Sequence, residues 1–127
     1  MKRTLILTLG VLATAMLVCA LSLAALNGTV DEARRLGSLA VLAERENQAD
    51  VAANRLVELA QLWQDRAGLM ETVASHDALH DVEAALAEAQ ICLECDDHDD
   101  FLRTMSTLDM ALGHLKDEEA VRWANIY

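Results

Sequence analysis

Proline is absent from this chain, and glycine occurs only five times in 127 residues. No stretch alternates apolar and polar residues over a useful length, so there is little from which to build a strand. Ala, Leu, Glu, Gln and Arg dominate, all good helix formers, and the sequence reads as all-α. Aromatics are scarce: one Phe, one Tyr and two Trp. They offer no platform on which bases could stack. Positive charge is scarce too, with ten Lys and Arg against 21 Asp and Glu. Such a surface repels nucleic acid, which is excluded as a partner. There is no Gly-rich phosphate loop and no serine–histidine–acid arrangement. No carboxylate pair stands out from the many acids. No cofactor and no enzymatic activity are expected.

What the chain does have is one long apolar run. From Thr4 to Val30 there is no charged residue, and Leu5 to Leu26 is almost wholly apolar. As a helix, those 22 residues rise about 33 Å, enough for a bilayer core of about 30 Å. A cleaved signal peptide is the rival reading, with Met1-Lys2-Arg3 as its basic start and Ser22-Leu23-Ala24 as its cleavage site. Its apolar part would normally run about 7–15 residues, shorter than this one. Lipoprotein processing at Cys19 is disfavoured by Val18 before it. The expectation is an uncleaved anchor over residues 1–28, contacting lipid through residues 4–26. Lys2 and Arg3 favour a cytoplasmic N-terminus, which leaves residues 29–127 as an extracytoplasmic domain on a single-pass cell-membrane protein. Setting Lys2 and Arg3 aside, eight bases face 21 acids there, a net of −13. That charge keeps the domain soluble.

Asn27-Gly28 suggests a break, and Thr29 with Glu32 three residues on suggests a capping box opening a helix to about Glu44. Arg45 to Asp50 is polar and reads as a turn. Ala52, Leu56, Leu59, Trp63, Ala67, Met70 and Ala74 then fall on one face of a long helix. Ser75 with Asp77 marks the next start, followed by Leu79, Val82, Leu86, Ala89 and Leu93. Leu102, Met105, Leu108, Leu112 and Leu115 repeat in the same way. Glu118 to Tyr127 would add a short tail helix through Val121, Trp123 and Ile126. Short connections make neighbours antiparallel. The expected fold is an N-terminal transmembrane helix followed by a small antiparallel bundle of three to four amphipathic helices.

These residues resemble a known family. The helix tryptophan Trp63 matches it, as does Ser-His-Asp-Ala-Leu-His-Asp-Val-Glu at residues 75–83, through His76, Leu79, Asp81, Val82 and Glu83. Phe101-Leu102 and the ending His114-Leu115, Glu119, Asn125-Ile126-Tyr127 match as well. The chain is similar to a family of small, single-anchor helical bacterial proteins of unknown function, typical of Gram-positive spore formers. The resemblance implies a membrane-anchored envelope protein with a sporulation link, and it implies no activity. Cys92 and Cys95 are not part of it, and His80 stands where an acidic or polar residue is more usual.

One stretch could carry chemistry: Cys92-Leu93-Glu94-Cys95-Asp96-Asp97-His98-Asp99-Asp100. A closed zinc site needs four ligands, usually as two separated pairs. Cys92, Cys95 and His98 would need Asp97, Asp99 or Asp100 to complete one. A disulfide between the cysteines is a second option, but i and i+3 on a helix hold their Cβ atoms about 5–6 Å apart, against about 3.5–4.5 Å in a disulfide. The third and favoured reading is a turn between helices, with the aspartates at the start of the second, where negative charge is favourable. His76 and His80 share a helix face at i, i+4 but lack the adjoining glutamate of a metalloprotease motif. If the chain turns near Asp97, His80 and His114 come side by side. The leading function is a non-enzymatic interaction or accessory module that binds a partner protein or a second copy through its apolar stripes. The alternative is a metal- or redox-responsive module built on Cys92, Cys95, His98, Asp99 and neighbouring aspartates. A helical sensor of small ligands is a third, weaker option.

Overall fold

The computed structural model describes residues 1–126, and the side chains of all of these except 122, 123, 125 and 126. Trp123 and Ile126 of the expected tail stripe, and Asn125, Ile126 and Tyr127 of the family-like ending, fall outside the described side chains. Among the described residues five helices follow in order: α1 (Lys2–Arg45), α2 (Ala49–Asp65), α3 (Ala67–Val73), α4 (His76–Glu94) and α5 (His98–Ile126). There is no strand among the described residues.

The helices form a four-helix bundle with an extended stem. The C-terminal half of α1 packs against α2 and α5, α4 packs against α5, and α2 touches α4 to close the ring. Three ties set the direction of α5 along α1. His98 meets Glu44, Arg34 meets Asp109, and Lys116 meets Asp31. The numbers rise on one helix as they fall on the other, so the pair is antiparallel. Exposed ties of this kind are worth about 0–1 kcal/mol each. The core does most of the holding. Leu26, Val30, Ala33, Leu36 and Ala40 of α1 meet Leu56, Leu59 and Trp63 of α2, Val82 and Ala89 of α4, and Phe101, Leu108, Leu112 and Leu115 of α5.

The expected break at Asn27-Gly28 does not occur. α1 runs through it as one 44-residue helix. Gly28 costs the helix about 1 kcal/mol relative to alanine, but Leu26 and Val30 on either side are fully buried. Packing outweighs propensity. Thr29 does not cap a new helix; its hydroxyl donates back to the Ala25 carbonyl at 2.8 Å. The core therefore starts at Leu26, inside the apolar run, and no loop separates stem from bundle.

Two further differences concern the long periodic stretches. The stripe from Ala52 to Ala74 is carried by two helices, because the chain leaves α2 at Arg66 and re-enters as α3. The single non-helical residue keeps the apolar phase, so Met70 and Ala74 still reach the core. Gly68, just beyond, weakens helix continuation. The tail is not a separate helix, since α5 continues from His98 to Ile126. Val121 is exposed. The start of α4 is as expected: Ser75 caps it, accepting from the Ala78 amide at 3.3 Å.

Candidate functional site

Residues 95–97 form the turn between α4 and α5, at the end of the bundle far from the stem. Its backbone is a Schellman motif. The Asp97 amide donates to the Cys92 carbonyl (3.0 Å) and the Asp96 amide to the Leu93 carbonyl (3.3 Å). Asp96 takes the left-handed conformation at φ 53°. This closes the orphan carbonyls of α4. The Asp97 carboxylate then accepts from the Asp100 amide at 3.2 Å, capping α5. The α1–α2 turn repeats the device: Gln48 donates to Ala43, Asn47 to Glu44, and Asn47 sits at φ 60°. Aspartate and asparagine tolerate this conformation better than most residues, glycine better still. Asp96→Gly is expected to raise stability by up to about 1 kcal/mol, about 4–8 °C in Tm for a domain of this size. A thermal melt of the variant that shifts downward would contradict the turn geometry.

The cysteines part company at this turn. Cys92 faces the core, its Sγ 3.9 Å from the Thr104 hydroxyl, while Cys95 is exposed at the end of α4. Both are free thiols, so the disulfide option is not what the structure contains. His98 turns away from them toward α1, where its Nδ1 donates to Glu44 Oε1 at 3.2 Å. That partner is 54 residues distant, and no spacing rule points to it. Asp99 and Asp100 occupy the first turn of α5. The Asp100 carboxyl is pushed above its ordinary value by its hydrogen bond to Asp97 and that residue's charge, with Arg103 opposing. Among the described residues, no three His, Cys, Asp or Glu side chains gather as a metal ion would require.

The histidines do not assemble either. His76 and His80 are both exposed on α4. His114 lines a shallow depression with Ser75, Asp77, Ala78 and Asp81 from the start of α4, and His80 is not among its walls.

The feature that sequence reasoning missed is a groove of about 400 Å³ between α1 and α5. α1 comes close to α5 at Gly37, where a Cβ would stand 3.3 Å from the Met105 methyl. Leu108 and Leu112 form the floor, and Val41, Leu42 and Leu102 the apolar lip. Leu42 is 54% exposed. Arg34 and Arg45 bring positive charge to the rim of an otherwise acidic protein. Arg34 is held in place by Asp109, which accepts from Nε at 2.8 Å and from Nη2 at 3.2 Å. That bond keeps the Asp109 carboxyl below the usual aspartate range, against the opposing effect of partial burial.

The bundle begins at Leu26 and ends with α5, and a family model matches residues 24–126, described as a domain of unknown function (DUF4363). The chain belongs to this family. The DUF4363 match takes in the bundle and leaves out most of the apolar stem, so the family unit coincides with the packed core. No curated protein matches the chain, and no solved structure does.

Proposed function

We propose that this DUF4363 protein is a single-pass, membrane-anchored envelope module, non-enzymatic, whose extracytoplasmic bundle holds a partner protein or a second copy of itself. The stem carries the reading. α1 is long and apolar enough to cross a membrane. Every residue from Lys2 to Leu21 is exposed, including Leu5, Ile6, Leu7, Val11 and Leu17. So much apolar surface on one helix is costly in water. Lys2 and Arg3 favour a cytoplasmic N-terminus. The resemblance to proteins of spore formers supports an envelope setting, with sporulation as the process to examine first.

The contact surface proposed is the α1–α5 groove, because it combines exposed leucine, a close approach of α1 to α5 at Gly37 and a basic rim. Reactive groups play no part in this reading. The thiol-based alternative gains no support from a pair of which one member is buried and the other exposed.

Two measurements test the proposal. In alkaline or high-salt washes the protein is expected to stay in the membrane fraction at its uncleaved mass. A soluble product beginning near Ala25 would remove the anchor. Leu42→Glu is expected to leave helicity and melting nearly unchanged, since the side chain is exposed, while abolishing the intermolecular crosslinks formed in intact membranes. Crosslinks that survive Leu42→Glu would move the contact surface elsewhere.

A further inference from the structure

The stem and the bundle share one helix, and this fixes how close the bundle lies to the membrane. The uncharged run starts at Thr4. About 20 helical residues cover a hydrocarbon core of about 30 Å, so the far boundary falls near Leu23. Burial by the protein's own helices begins at Ser22 and is complete at Leu26. The headgroup layer on each side is about 5–8 Å thick, four or five residues of helical rise, or about Ala24 to Gly28. The base of the bundle already surrounds α1 at that depth.

Arg66 stands there. It shares a cleft of about 240 Å³ with Ala25, Gly28, Thr29, Glu32 and Leu62. Gly28 opens the cleft, since a Cβ on it would meet no atom within 4 Å. Arg66 is also unusual in charge. On the bundle Arg34, Arg35, Arg55, Arg103 and Lys116 each bond a carboxylate. Among the described residues no ion pair involves Arg66, although the chain has 21 acids. Glu32, in the same cleft, is engaged by Arg35 at 2.6 and 3.1 Å. Arg45 has no ion pair either, but lies at the opposite end of the bundle.

Resting on the anchor reading above, we propose that the base of the bundle is a second membrane contact, in which Arg66 binds the phosphate of a lipid headgroup seated against α1. A guanidinium presents a planar fork of donors that matches two phosphate oxygens. The lipid, rather than free phosphate, is the source because the cleft opens at headgroup depth. The bundle is therefore clamped on the bilayer and does not stand off on a stalk.

The test uses the full chain in phosphatidylcholine vesicles, with Cys19→Ala and Cys95→Ser removing the exposed thiols. A fluorophore is attached at Gly68→Cys on the base, at Asp96→Cys on the far turn, or at Leu12→Cys in the stem. Lipids carrying a quencher in the headgroup or in the acyl chain report depth. The expected result is strong headgroup quenching at position 68, none at position 96, acyl-chain quenching at position 12, and a clear fall in position-68 quenching on Arg66→Gln with unchanged helicity, because the headgroup held in the cleft leaves while α1 keeps the bundle at the same depth. Quenching at position 12 with position 68 as dark to the quencher as position 96 would overturn the proposal and leave the anchor standing. No quenching at position 12 would overturn the anchor itself. Position-68 quenching left unchanged by Arg66→Gln would overturn the phosphate contact.

Discussion

Phe101→Ala is expected to be among the most damaging substitutions, while Leu102→Ala next to it is expected to be mild. Phe101 is fully buried in the core where α5 begins, and replacing a buried Phe by Ala costs about 3–5 kcal/mol. For a domain of about 100 residues each kcal/mol moves Tm by about 4–8 °C, so the melt should fall by at least about 12 °C. Leu102 faces the groove and is only partly buried. It has much less packing to lose. Urea or thermal unfolding of the two variants settles the matter. Equal losses would mean that α5 is rotated from the position described.

A second large effect is expected from where the bundle is cut away from its stem. A chain beginning at Thr29 should fold poorly, and one beginning at Ser22 should fold well. The first lacks Leu26, which is fully buried, and Ala25, whose carbonyl receives the Thr29 hydroxyl. Loss of a buried leucine alone costs about 2–5 kcal/mol. A small domain has only about 5–15 kcal/mol in total. The check is circular dichroism and urea titration of both chains side by side. If the midpoint is the same for each, the first turn of bundle core contributes nothing.

These two cases mark what could be read from the amino acids alone. The helical class, the antiparallel α4–α5 hairpin, the Ser75 cap and the buried Trp63 all follow from local rules: propensity, 3.6-residue spacing and capping chemistry. So did the turn at Asp96–Asp97, where acids precede a new apolar stripe. What local rules missed was decided by packing between distant segments. Asn27-Gly28 looks like a break because its intrinsic cost is visible, while its compensation through Leu26 and Val30 is not. The expected stripe begins at Leu102, but Phe101, which fits the same spacing, takes the core position, and only packing between helices makes that choice. The bond from His98 to Glu44 and the groove at Gly37 join residues from opposite ends of the chain, and no pattern within a single segment encodes them. The thiol pair reads as part of the Asp96–Asp97 turn, with a shared site as the lesser option. Its spacing suggests a shared site, but Cys92 belongs to the inward face of α4 and Cys95 lies beyond its last turn.

The unbroken α1 has a consequence for rotation as well as for depth. A helix of 44 residues is about 66 Å long, and each residue advances by about 100°. The azimuth of the bundle is thus carried into the stem residue by residue. Continuing the inward line of Leu26, Val30 and Ala33 backwards leads to Ser22, Ala15, Val11 and Thr8. Those residues point below the mass of the bundle, while Ile6, Ala13, Leu17 and Ala24 point away from it. A neighbour approaching along the second face meets no overhanging domain. One on the first must pass beneath α2 and α5. The bundle thus acts as a fixed vane on its shaft, and turning it presents a different side of the stem to a neighbour.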